Sequence, residues 1–211
     1  GGLREMGVLW KGFEMPKRLE SDGSSLTNTY GKFTAEPFER GYGMTIGNSL
    51  RRVLLSSIEG SAVTSIRLDG ALHEFSTIPG VMEDVVQIIL NLKQVRFKLH
   101  GDEPVKVTLK SKGEGPVTAA AIKTTSNVEI VNPEAMIATV SDKKTELEIE
   151  IEIDKGLGYV PVEQRERDDE REIGVIAIDA IYTPVKRVNY EVENMRVGKR
   201  TDFDKITLEV V

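Results

Sequence analysis

The sequence predicts an α+β protein, and three observations predict it. A glycine-rich turn runs into an amphipathic helix at 39–57, a second helical stretch follows Pro79-Gly80, and most of the remainder carries period-two alternation. Taken in order, Leu26 to Phe38 is rich in Thr, Tyr and Phe and reads as a strand region, closed by Glu36-Pro37. The helix that follows has Thr45 as its expected N-cap. At 100° per residue, Ile46, Leu50, Val53, Leu54 and Ile58 share one arc. Leu55 lies opposite, beside Asn48, Arg51 and Arg52. The first arc suits a core. The second, an apolar residue ringed by two guanidiniums and an amide, suits a protein partner.

Beyond Gly60, Ala62, Thr64 and Ile66 to Leu72 read as extended chain. The second helix is expected from Val81 to about Val95, with a broad apolar arc in which Lys93 is the one charge. Val105, Val107 and Leu109 alternate with lysines and threonine, and Leu147, Ile149, Ile151 and Ile153 alternate with glutamates. Both are expected to be half-buried strands whose charged rows pair across a sheet. Lys112 to Pro116 and Asn132-Pro133 are turn signals that divide this region into short antiparallel strands. Glu163 to Glu172 is charged with both signs mixed and reads as a solvated loop. Ile173 to Ala180, Val185 to Glu193 and Ile206 to Val211 read as further strands.

Composition bounds the function. The chain has 211 residues, 39% hydrophobic and 29% charged, with no apolar run near the roughly 20 residues a membrane span needs. No membrane partner is expected. Zero cysteines removes disulfides and thiolate chemistry and agrees with a cytoplasmic protein. A net charge of −6 opposes a broad phosphate-binding surface.

Catalytic readings are weak. Gly41-x-Gly43-x-x-x-Gly47 precedes a helix, which raises a nucleotide-binding enzyme as the alternative function, but the spacing fits neither G-x-G-x-x-G nor a P-loop. The glycines are better explained by close backbone packing. His73 and His100 are the only histidines, and neither lies in a metal-ligand motif. The His73-Glu74 pair is expected in extended chain, with its side chains on opposite faces. No cofactor, metal site or catalytic constellation is expected.

Glu39-Arg40-Gly41-Tyr42-Gly43-Met44-Thr45-Ile46-Gly47-Asn48-Ser49-Leu50-Arg51-Arg52-Val53-Leu54-Leu55-Ser56-Ser57 resembles, nearly residue for residue, the signature of the bacterial RNA polymerase alpha subunit. The resemblance continues through Asp69-Gly70, Leu72-His73-Glu74, Gly80-Val81-x-Glu83-Asp84 and Leu90-Asn91-Leu92-Lys93. It extends to Gly115 to Ala119, Gly158-Tyr159-Val160-Pro161, Tyr182-x-Pro184-Val185 and Arg200-Thr201-Asp202-x-Asp204-Lys205. It covers about Pro16 to Val211 and assigns nothing to Leu3 to Phe13.

The resemblance implies the amino-terminal domain of that subunit, a scaffold without chemistry of its own. It implies two lobes: a discontinuous dimerisation lobe of mixed helix and sheet, 1–59 with 185–211, and an inserted β-rich lobe, 60–184. The implied partners are a second alpha subunit and the beta and beta-prime subunits of the polymerase. By motif match, Arg52 and Leu55 take beta-contacting positions, and Lys93 and Ile178 take beta-prime-contacting positions. Ile46, Leu50 and Val53 would supply the lobe core and dimer side. The family's domain continues into another helix, a linker and a DNA-binding carboxy-terminal domain, and this sequence stops before all three. No direct DNA contact is expected from it.

Overall fold

The computed structural model describes residues 14–71, 73–165 and 173–211. In chain order, β1 (Leu19–Ser21), β2 (Gly31–Phe38) and α1 (Tyr42–Ser56) come first. Next are β3 (Glu59–Leu68), α2 (Val85–Leu92), β4 (Phe97–Leu99), β5 (Val105–Lys112), β6 (Gly115–Thr118), β7 (Ile122–Lys123), β8 (Val128–Ile130) and β9 (Met136–Val140). The last group is β10 (Glu146–Leu157), β11 (Tyr159–Val160), α3 (Val162–Arg165), β12 (Val175–Ala177), β13 (Ala180–Ile181), β14 (Val188–Val197) and β15 (Arg200–Val210). Strand-rich units with few helices make this an α+β protein.

The chain divides into two compact units, one taking the residues up to Ile58 with Val185–Val211 and the other Glu59–Pro184. The division falls before Gly60 because β3 already begins at Glu59. In the discontinuous unit, a four-stranded antiparallel sheet runs β1-β2-β15-β14, so segments far apart in the sequence share one sheet. Phe38, Val188, Phe203, Ile206 and Leu208 are buried in it. The β14–β15 hairpin extends well past the strand ends expected at Glu193 and Ile206, with Val197 opposite Arg200 at its tip.

In the other unit, a five-stranded sheet runs β12-β3-β10-β5-β7. The alternation of β10 sends Leu147, Ile149, Ile151 and Ile153 into the core, each at most 2% exposed. Its glutamates face the lysines of β5. Lys110 reaches Glu148 at 2.7 Å and Lys112 reaches Glu146 at 2.5 Å, whereas Lys106 lies opposite Glu152 but reaches the diagonal Glu150 at 3.5 Å. The two charged rows therefore pair as the alternation predicts.

Helix α2 is shorter than the apolar pattern suggests. Asp84 stops it on the amino side: its side chain accepts from the Gln87 amide while Gln87 reaches back, a capping box that starts the helix at Val85. Val81 instead bridges to Val140. Val85, Ile88 and Leu92 face the core, and Val86 and Leu90 are exposed. β3 ends at Leu68 and a turn follows at Asp69-Gly70, so the expected extended segment is shorter; its last residue, Leu72, lies outside the described residues. Of the expected loop Glu163 to Glu172, only Glu163 to Arg165 lie inside the described residues, where they form part of α3; 166–172 lie outside them.

Candidate functional site

Helix α1 carries most of the residues singled out in the sequence, and its position follows from a carboxylate 163 residues away. The helix begins at Tyr42, with Gly41 as N-cap at φ 85° and no cap from its own side chains. Thr45 is therefore inside the first turn rather than the cap. Asp204 of β15, 5% exposed, supplies the missing acceptor: its Oδ2 accepts the Gly41 amide at 2.8 Å and the Gly43 amide at 3.0 Å. This arrangement answers the nucleotide alternative. The amide end that would hold a phosphate already holds an internal carboxylate.

The face of α1 that packs on the sheet is made by Gly43 and Gly47, the two buried residues of the helix. A Cβ at Gly43 would lie 2.7 Å from Val192 and 2.9 Å from Asp204, and one at Gly47 would lie 2.5 Å from the Tyr190 ring. Glycine here permits close approach of helix to sheet. The consequence reverses part of the sequence expectation. Ile46 is half-buried, whereas Leu50 and Val53, expected in the lobe core, are 40% and 53% exposed. The wheel placed the core arc off by roughly a quarter-turn because glycines carry no hydrophobic signal.

Ile46, Leu50 and Val53 therefore form a stripe along the flank of α1, continued by Tyr42, which is 46% exposed. Arg51, expected beside Leu55 in the partner ring, turns toward the sheet, where its Nε donates to the Val188 carbonyl at 3.1 Å. Arg52 is exposed and Leu55 half-buried.

A second surface lies in the other unit. Lys93 follows the last residue of α2, and its Nζ is 3.9 Å from Asp179 Oδ2. Asp179 also accepts the Val162 amide at 2.9 Å and a hydrogen bond from the Tyr159 hydroxyl. The Val162 amide, and then Tyr159 and Lys93, hold this carboxyl below its ordinary range despite partial burial. Burial and the Asp179 hydrogen bond together raise the Tyr159 hydroxyl. Lys93 and Asp179 border a groove of about 720 Å³, with Phe75, Val86 and Leu90 exposed along it.

Ile178 also lines this groove, yet it is 3% exposed and belongs to the core. The neighbouring Asp179 presents its side chain there, whereas that of Ile178 is turned into the core. Asp179 and Asp204 both escaped the sequence reading. A buried or bridging acid has no periodic signature, and the Asp202-x-Asp204 spacing was the only available hint.

The histidines take surface positions. His73 lies in a turn, its Nδ1 3.3 Å from Ser76 Oγ, and not on a strand. His100 Nε2 is 3.6 Å from Glu129. No group of three metal-ligating side chains occurs among the described residues. No helix there is long and apolar enough to cross a membrane.

Comparison with known proteins agrees with the motif match. Residues 65–183 match the family described as the RNA polymerase Rpb3/RpoA insert domain. The chain is 56% identical over 201 residues to DNA-directed RNA polymerase subunit alpha of Geobacter metallireducens, covering 95% of this chain and 58% of that protein. It is 55% identical over 199 residues to the same-named protein of Symbiobacterium thermophilum, covering 94% and 62%. The chain thus spans about three fifths of the length of these relatives. A family match over more than half the sequence and this identity along nearly all of it lead to one conclusion: the chain belongs to the family of the bacterial DNA-directed RNA polymerase alpha subunit.

Proposed function

We propose that this chain is a non-catalytic assembly scaffold of bacterial DNA-directed RNA polymerase, working in the cytoplasm. The observation that carries the reading is the apolar stripe Ile46-Leu50-Val53, half-buried at Ile46 and exposed at Leu50 and Val53, on a helix whose glycine face is already packed. An apolar row left outside a well-anchored helix is suited to a second copy of the same helix, and the discontinuous unit is then the dimerisation lobe. Arg52 and Leu55 lie away from that stripe and are assigned to the beta subunit. Lys93, with Asp179 beside it, is assigned to the beta-prime subunit at the groove of the inserted lobe. The active site of the polymerase belongs to those partners, and this chain contributes surfaces and no reacting group.

The test is co-purification with bacterial beta subunit, native chain against Arg52→Ala, with the mass of the complex read by light scattering. The expected result is a native complex containing two copies of this chain, and a loss of retention of about tenfold or more on substitution. Undiminished retention by a folded Arg52→Ala chain would remove Arg52 from the surface.

A further inference from the structure

Strand β4 is the open edge of a two-stranded sheet whose one strand partner is β8. The Val131 amide donates to the Arg96 carbonyl at 2.9 Å, and the His100 amide donates to the Asn127 carbonyl at 2.8 Å. Those two bonds fix the alternation of the antiparallel ladder: the backbone groups of Arg96, Lys98 and His100 face β8, and those of Phe97 and Leu99 face away. Among the described residues, no hydrogen bond to the backbone of Phe97 or Leu99 is formed from outside the ladder. Their side chains are buried, so the free edge is anchored to the core. The edge opens onto a groove of about 460 Å³.

The groove is cationic. Arg96, Lys98 and Lys155 line it against one carboxylate, Glu59. Lys98 has no ion pair among the described residues, because the opposite Glu129 reaches His100 instead. Among the described residues, the Lys155 ammonium is paired with Asp102 alone, whose side chain is 98% exposed and so holds it weakly. In a chain of net charge −6 this is a local reversal of sign.

We propose that β4 accepts a short extended segment of a partner protein as a third strand, carrying acidic side chains toward Arg96, Lys98 and Lys155. Unpaired backbone groups at strand spacing supply the affinity, and the cations supply the selection of sequence. A nucleic-acid strand could meet the cations, but it offers no alternating amide donors and acceptors to the edge. The site goes beyond the assembly reading, since Arg52, Leu55 and Lys93 do not line this groove.

The test uses the whole 211-residue chain, with backbone amide exchange followed by NMR. The probe is a blocked Val-Glu-Val-Glu-Val peptide, and the control replaces both Glu by Lys. At about 2 mM acidic peptide, exchange at Phe97 and Leu99 is expected to slow about fivefold, with no slowing by the lysine peptide. Lys98→Glu, at an exposed site, is expected to abolish the protection without unfolding the chain. Unchanged exchange at Phe97 and Leu99, or equal protection by both peptides, would overturn the proposal. Tighter binding of a uridine oligonucleotide than of the acidic peptide would overturn it in favour of nucleic acid.

Discussion

Gly47 and Tyr190 approach so closely that a Cβ on Gly47 would lie 2.5 Å from Cδ2 and 3.0 Å from Cγ of the ring. Cγ sits next to the Tyr190 backbone, so the ring cannot swing aside cheaply. Gly47→Ala would gain roughly 1 kcal/mol of helix propensity and lose about 1–3 kcal/mol to overpacking. A net destabilisation of about 1 kcal/mol is expected, read as a lower urea midpoint with unchanged slope. An unchanged or raised midpoint would mean that α1 is not held against the sheet by this contact.

Asp204 is the next test of how α1 is anchored. Asp204→Ala leaves the Gly41 and Gly43 amides without their acceptor and opens a buried polar site, which is expected to destabilise by about 2 kcal/mol. Asp204→Asn keeps an oxygen acceptor and should lose less than half of that. Equal losses in the two variants, measured by urea denaturation, would show that charge rather than capping matters here.

The exposed stripe predicts a substitution that separates folding from association. Leu50→Glu changes a side chain that is 40% exposed in the isolated chain, so its stability should move by about 0.5 kcal/mol or less. Dimerisation, followed by sedimentation velocity, is expected to weaken at least about tenfold because a carboxylate would be buried against the partner helix. Retained dimers would place the contact elsewhere on the lobe.

Lys93→Ala should spare capture of beta subunit and impair the later beta-prime step, each measured by stepwise reconstitution of the polymerase. Equal loss at both steps would reject that division between the two units.

Asp179 gives a prediction in pH. Its folded carboxyl lies below the ordinary value of 3.8, chiefly through the Val162 amide. A depressed folded value stabilises above the unfolded one, and that contribution is lost as pH falls through the folded value. The stability difference between native and Asp179→Asn chains should therefore be constant from pH 7 to about 5 and shrink below about 4. A carboxyl NMR titration of Asp179 with its midpoint above 3.8 would contradict the geometry.

The parts of the fold that were legible in the sequence are those written in apolar alternation. The β5 and β10 rows and their charge pairing could be read because Ile149, Ile151 and Ile153 alternate with glutamates. Helix α1 could be located but not oriented, since its packed face is glycine and the apolar pattern marks the flank instead. The start of α2 was written in Asp84 and Gln87, a local signal overridden by the longer apolar run beginning at Val81. Of the candidate residues, Arg52 and Lys93 were singled out by helix geometry and motif, whereas helix geometry assigned Leu50 and Val53 to a core arc although both are exposed. Asp179 and the open edge of β4 were not singled out, because each depends on which distant segments meet, and no local period records that.

The pairing of β2 with β15 means that the sheet of the discontinuous unit can close only after β15 has been made. On a ribosome, Gly41 and Gly43 emerge about 160 residues before the carboxylate that seals their amides. At roughly 5–20 residues per second, the helix waits some ten to thirty seconds for its anchor, while Glu59–Pro184 has everything it needs to fold in the meantime. A nascent or prematurely terminated chain thus presents a finished insert and an unmoored α1. Any contact that depends on an anchored α1 must therefore wait until translation has passed Asp204.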